Sequence, residues 1–319
     1  MRLHQNIVCR LPFSTSKMCM MKLTLMVLIF VVCIQNGYSQ SKQEEFITQA
    51  DSLAQILFSD AADSIKILVN EELRQNFKTL LHEPESQTFP FDSLTFVRFL
   101  AWPDGKFSLL SWVVPLAQRE FLYSGFIQKM NNGKIDTVIE LKPTTADIMV
   151  NEKYSSENWP GAVYTKIIGN ATKGKEFFTL LGWQGKGEGL SGRIIETLWF
   201  DQQGNPVFGL PVFKMKSGNL QHRHIFEFTD QVPFHLAYER HRLPKEKRKT
   251  DWMIVFNRLS GNQPGMGRFF NGAVPSYEVF DAFIFIGNQW VLTEDVDPRV
   301  DSQRLPNQRP REMNLSPER

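Results

Sequence analysis

The 319-residue chain carries 36 Lys/Arg against 34 Asp/Glu, with 42% hydrophobic and 22% charged residues, the balance of an ordinary globular protein long enough for one large domain or two small ones. Residues 1–39 hold four of the 36 basic residues and no acid, so the remainder has 32 basic against 34 acidic residues, a net of −2, and no overall charge steers it toward nucleic acid. Cys9, Cys19 and Cys33 all lie in that leading stretch, which excludes disulfides, thiol nucleophiles and thiolate metal sites from residues 40–319.

The leading stretch reads as an export signal. Lys17 and Lys22 precede an apolar run from Leu23 to Ile34, followed by small residues at Gly37 and Ser39, which predicts cleavage after Ser39 and a periplasmic or extracellular location. The run is short for a membrane span, so no transmembrane segment is expected after cleavage. Val31 and Val32 before Cys33 are too bulky for a lipoprotein signal, and Met1, Met18, Met20 and Met21 are alternative initiators. The expected organisation is a signal peptide over 1–39, a helical segment over 40–88, an antiparallel β domain over 89–298 and a disordered polar tail over 299–319.

Phe46, Ala50, Leu53, Ala54 and Leu57 recur at spacings of three and four, predicting an amphipathic helix. Ser59 or Asp60 then reads as a break and new N-cap. A second helix follows with Ile65, Leu68, Val69, Leu73, Phe77, Leu80 and Leu81 on its stripe, ended by Pro84 and Pro90. The pair is expected as a hairpin packed on a sheet, the alternative being a partner-binding helix pair.

From Phe91 onward the signal is β. Leu94 to Trp102 and Phe107 to Val114 flank the Asp104-Gly105 turn. Glu120 to Lys129 and Ile135 to Leu141 flank Asn132-Gly133, and Lys142 to Trp159 reads as a polar loop. Strands resume at Gly161 to Ile168, Lys175 to Trp183, Arg193 to Phe200 and Val207 to Met215, with Gly185 to Gly192 as a flexible connection. Later strands are His222 to Thr229, Phe234 to Tyr238, Trp252 to Asn257, Tyr277 to Ile286 and Trp290 to Leu292. Those near Trp252 and Phe280 are apolar on both faces and need cover on both, from a second sheet or from the helices. The fold class is therefore mainly β, a sandwich-like or multi-sheet antiparallel domain with an N-terminal helical hairpin. No fixed repeat supports a propeller.

The succession PDGKF (Pro103 to Phe107), YSGFIQ (Tyr123 to Gln128), NWPGAVY (Asn158 to Tyr164), FTLLGWQG (Phe178 to Gly185), PVFGLPVF (Pro206 to Phe213), IFEF (Ile225 to Phe228) and GNQWVL (Gly287 to Leu292) resembles a family of exported Bacteroidota proteins of unknown function. The resemblance spans most of the chain from the helices to about Asp297. It implies an envelope location and no activity or site residue. The His pair ahead of IFEF departs from the family pattern.

Local chemistry is sparse. His222 and His224 are the metal candidates, because residues two apart on a strand share a face; His235 or His241 would supply a third ligand. Asp281, Glu294 and Asp295 are the candidate acid and base for carboxylate-pair hydrolysis, and Asp297 and Asp301 add to an oxygen-rich run that lacks the turn glycine of a calcium loop. No nucleophile elbow, P-loop or dinucleotide fingerprint is present, and no cofactor is expected. The basic run Arg240 to Arg242 and Lys245 to Lys249 reads as a solvated tip, with contact to anionic lipid or polyanionic glycan as the sharper alternative. Of the tryptophans, Trp102, Trp112, Trp199 and Trp290 read as core. Trp159 and Trp183 border loops and are the candidate ligand-facing rim. The expected function is an exported binding or structural protein of the envelope, its partner a glycan or a protein, with no catalysis; the alternative is a carboxylate-dependent hydrolase of glycan or another envelope polymer.

Overall fold

The structure, a computed structural model, describes residues 41–172, 174–187, 189–244, 246–260 and 272–297. The expected signal peptide, its alternative initiators and the expected polar tail lie outside the described residues. Two helices come first, α1 (41–57) and α2 (Asp63–His82). The spacing of α1 places Ala50, Leu53, Ala54 and Leu57 on one buried face.

The second helix departs from the expected pattern. It begins at Asp63 rather than after Ser59, with Ala62 extended and making no side-chain cap. Its buried face is Lys66, Asn70, Leu73, Phe77 and Leu81, while Ile65 and Leu68 are exposed. Hydrogen bonds explain the rotation. Lys66 Nζ donates to the Pro115 carbonyl at 3.0 Å, Asn70 Nδ2 donates to Ser124 Oγ at 3.0 Å, and Asn70 Oδ1 accepts from Trp112 Nε1 at 2.8 Å. A buried amide with both ends satisfied can replace a leucine on a packing face.

The strands fall into three open sheets. Sheet 1 is β1 (Val97–Ala101), β2 (Phe107–Pro115), β3 (Phe121–Asn131) and β4 (Lys134–Leu141), antiparallel and in sequential order. Sheet 2 orders β5 (Tyr154–Ser155), β9 (Pro206–Phe208), β8 (Leu190–Phe200), β7 (Lys175–Gly185) and β6 (Val163–Thr172). β12 (His224–Thr229) shares β8's outer edge with β9. Sheet 3 orders β11 (Leu220–Gln221), β10 (Phe213–Lys214), β16 (Gln289–Val296), β15 (Val274–Ile286), β14 (Glu246–Ser260) and β13 (Leu236–Leu243), with β10 and β16 parallel.

The layers follow from strands that are apolar on both faces. On β2, Leu110, Trp112 and Val114 pack against the helices, whereas Phe107 and Leu109 face sheet 2 with Phe178, Leu180, Ile194 and Leu198. The other face of sheet 2 presents Phe177, Leu181 and Ile195 to Phe256, Phe283 and Trp290 of sheet 3. The order is helices, sheet 1, sheet 2, sheet 3. The helices therefore cover sheet 1, not the doubly apolar strands of sheet 3, whose second face carries a separate buried cluster of Met253, Val255, Ala282 and Ile284.

The stretch from Val207 to Met215 is two strands in two sheets instead of one. The chain leaves sheet 2 after Phe208 and enters sheet 3 at Phe213. At the crossing Gly209 has φ +95, and a Cβ there would meet Arg223 Nη2 at 2.7 Å and the Glu152 carbonyl at 2.8 Å. Only glycine fits both demands.

Arg223 is the reason this corner is so tight. It and Glu196 are fully buried, with Nε donating to Glu196 Oε2 at 2.7 Å. Nη1 donates to the carbonyls of Met149 and of Glu152 (2.8 Å for the latter), and the guanidinium lies 4.6 Å from the Tyr154 ring centre. Glu196 Oε1 accepts the Thr197 backbone N–H at 3.0 Å. Burial pushes the Glu196 carboxyl up, against the pull of the guanidinium. Breaking such a pair leaves an uncompensated buried charge, so Glu196→Leu alone should cost about 3–5 kcal/mol in urea unfolding. The double variant Glu196→Leu/Arg223→Met should recover part of that loss. Full recovery would mean that the Met149 and Glu152 carbonyls do not need the arginine.

Candidate functional site

The three acids singled out from sequence do converge, around an arginine. Asp281 on β15 receives Arg258 Nε at 3.0 Å and Nη2 at 2.5 Å. The same Nη2 lies 2.9 Å from Asp295 and 3.6 Å from Glu294, and Lys216 pairs with Glu294. The Asp281 hydrogen bonds raise the Arg258 guanidinium above its usual value. Glu294 and Asp295 lie inside β16 rather than after a strand end. With both Asp281 oxygens accepting from one guanidinium, the cluster reads as a clamp across three strands, not an acid–base pair.

His222 and His224 do not share a ligand position. His222 lies ahead of β12, beside Arg223 and the Glu152 backbone, and burial with the neighbouring Arg223 charge lowers its pKa. His224 sits in an aromatic cage, its ring 4.6 Å from Phe226, 5.3 Å from Phe283 and 6.1 Å from Phe256. Desolvation holds it at about 4. Among the described residues no group of three His, Cys, Asp or Glu is arranged to hold a metal.

The cage makes a pH prediction. Between about pH 6.5 and 4 the unfolded chain protonates this histidine while folded His224 stays neutral. Stability therefore falls as pH drops through that window and levels off below it, by up to about 3 kcal/mol. His224→Leu should narrow the difference in unfolding free energy between neutral pH and about pH 4; an unchanged pH profile would rule out His224 as its source.

The rim tryptophans separate. Trp159 is fully buried, donating Nε1 to Tyr164 Oη at 3.1 Å, because the polar loop before it folds back over sheet 2. Trp183 is partly exposed, edge-on to Phe121 at 5.5 Å, and lines a groove described below. The expected basic tip is instead the strands β13 and β14, which pair as far as Leu243 and Glu246; Lys245 lies outside the described residues. His241 in that run is buried, with Nε2 3.0 Å from Glu239.

An aromatic groove lies where no sequence motif marks it. A groove of about 810 Å³ lies between the edges of sheets 2 and 3, lined by Trp102, Tyr238, Trp252 and Phe285 together with Asn170, Glu176, Asp251 and Asn288. Tyr238 and Trp252 stack, with ring centres 5.1 Å apart and planes at 28°, and Trp252 is 50% exposed. The Trp102 ring lies against Gly169, where any Cβ would strike it, and edge-on to Phe178 at 5.0 Å. Asn170 is held from behind by a buried relay: Trp290 Nε1 donates to Thr179 Oγ1 at 2.9 Å, and Thr179 Oγ1 donates to Asn170 Oδ1 at 2.9 Å. Desolvation, then the Asp251 charge, raises the Tyr238 hydroxyl above its usual value. Both Glu176 oxygens take Lys106 Nζ at 3.0 Å, and Asp251 accepts the Trp252 backbone N–H at 2.8 Å. Rigid aromatic faces flanked by amides and carboxylates suit a polyhydroxylated ring, which offers C–H faces and hydroxyl edges.

The strand pairing places Tyr238 opposite Ile254 and Arg240 opposite Trp252, so Tyr238 and Trp252 meet as diagonal neighbours on one face. A bulge between Arg242 and Leu243 shifts the register, so the position of the turn alone does not mark the pair in the sequence.

Comparison with family models, with curated proteins and with solved structures finds no match. Among the described residues no helix is long and apolar enough to cross a membrane.

Proposed function

We propose that this is an exported glycan-binding protein of the bacterial envelope that acts by binding rather than by catalysis. The reading is carried by the Tyr238–Trp252 stack, which presents a half-exposed indole to a groove with amide and carboxylate flanks. A large aromatic is usually more covered than this, and its exposure beside polar groups marks a recognition surface. The apolar run ahead of Ser39, the cysteine-free remainder and the resemblance to exported Bacteroidota proteins support the location. Against an acid–base pair in the groove stands the engagement of Glu176 by Lys106, which leaves Asp251 as the other lining carboxylate, while Asp281 is held by Arg258. Glycoside cleavage needs a protonated acid opposite a free carboxylate.

Covering about 100 Å² of indole is worth roughly 2 kcal/mol. Trp252→Ala should therefore weaken oligosaccharide binding by about tenfold or more in calorimetry, with little change in thermal unfolding because the ring is exposed. Equal affinity of the variant and the parent would remove the groove from consideration. Shortening of the oligosaccharide during the same incubation would favour a hydrolase.

A further inference from the structure

A second groove, of about 500 Å³, contains two arginines and no acid in its lining, Arg98 on β1 and Arg193 on β8. Arg193 is partly buried, paired across the sheet with Trp183 on one side and Phe226 on the other. Its guanidinium donates to the Gly192 carbonyl at 3.2 Å and lies 5.9 Å from the Phe228 ring centre. Desolvation lowers it from its usual value. Arg98 is exposed and reaches only the Val97 carbonyl, at 3.4 Å. Among the described residues neither arginine forms an ion pair. A partly desolvated cation without a counter-ion is costly, and the cost is offset when an anion enters.

The position of this groove connects it to the aromatic one. It is lined by residues 95–98 at the start of β1, Val163 and Thr165 of β6, and Phe234 and Leu236 at the start of β13. Further along the same three segments come Trp102, residues 169–171 and Tyr238 of the aromatic groove. Both grooves therefore follow the free edges of all three sheets, in the same direction. On β6 the nearest lining residues, Thr165 and Gly169, are four positions apart, or roughly 13 Å at about 3.3 Å per residue.

We propose that the two grooves are one elongated cleft for an anionic oligosaccharide, with sugar rings on Trp252 and Trp102 and a carboxylate or sulfate on Arg98 and Arg193. This rests on the glycan-binding reading and names its ligand class. Guanidinium groups match such oxyanions in a planar, two-pronged geometry that no hydroxyl can satisfy as well. At the aromatic end Lys106 engages Glu176, which leaves Arg98 and Arg193 as the cations without an acidic neighbour in the lining.

The test is calorimetry on the purified protein with galacturonate and glucuronate oligosaccharides and their carboxyl-reduced counterparts, and with sulfated galactan oligosaccharides and their desulfated counterparts. At least one acidic member should bind about tenfold or more tighter than its neutral counterpart, with a preference that shrinks as salt rises. Whether it is carboxylated or sulfated identifies the anion. Arg98→Gln, at an exposed position, should reduce that preference, and Arg98→Gln/Arg193→Gln should abolish it while neutral binding persists. If the double variant does not fold, the single variant and the salt dependence decide. Equal affinity for acidic and neutral members, with Trp252→Ala still weakening both, overturns the anionic cleft alone. Absence of binding to every member overturns the glycan reading with it.

Discussion

The corner where the chain passes from sheet 2 to sheet 3 depends on one buried contact, the Arg223–Glu196 pair. A single guanidinium reaches Glu196 on β8, the carbonyls of Met149 and Glu152 in the preceding loop, and the backbone of Gly209 where the chain passes to sheet 3. Those segments are far apart in sequence and meet where β5, β9 and β8 pair, with the Gly209 N–H donating to the Thr197 carbonyl at 2.9 Å. Desolvating the two charges costs several kcal/mol, which a hydrophobic pair of equal volume would avoid. Such a pair would leave the two carbonyls unpaired and would not dictate where the chain turns. The arginine fixes the geometry of this corner more than it adds stability, while sheet 3 is held on sheet 2 by the apolar layer of Phe177, Leu181 and Ile195 against Phe256, Phe283 and Trp290.

Once sheet 3 is seated, packing does the rest. Trp290 of sheet 3 is fully buried yet keeps its indole N–H satisfied through Thr179 of sheet 2, and the same hydroxyl orients Asn170 at the groove. A core contact and a ligand-facing amide thus share one hydrogen-bond relay. Polar groups placed by buried partners hold their direction better than groups on free loops, which is what a binding surface needs.

The hairpins were legible because their turns carry local chemistry. Asp104-Gly105 and Asn132-Gly133 each sit between consecutive strands that pair antiparallel in the fold. The face of α2 was not legible, since Lys66 and Asn70 look like solvent residues until Pro115, Trp112 and Ser124 supply their partners. The break at Gly209 carried a local mark, since Gly209 and Pro211 both interrupt a strand, but the apolar run on either side of them reads as one strand until Arg223 and Thr197 supply their partners. Trp159 looked like a rim residue from its Pro-Gly neighbours, but a flanking loop says nothing about which way the loop folds. Asp281, Glu294 and Asp295 were correctly grouped, while the residue that gives the group its character, Arg258, carries no local mark. Contacts between sheets have no period, and the site lies between sheets.

The edges explain why charge and aromatic rings collect there. Three stacked open sheets leave β1, β6 and β13 as neighbouring free edges, each a row of unpaired backbone groups that another chain could extend. Exposed cations lie along them: Arg98 on β1, Lys166 on β6, Arg240 and Arg242 on β13. Such side chains discourage strand addition. They also leave a basic margin along a channel whose walls are already apolar, because the strands behind it pack on both faces. An edge protected in this way resists a peptide strand, whose backbone must approach within hydrogen-bond distance, more than an oligosaccharide, which needs only ring faces and long polar arms. On the proposed glycan reading, the side chains that protect these edges from strand addition also favour an oligosaccharide along them.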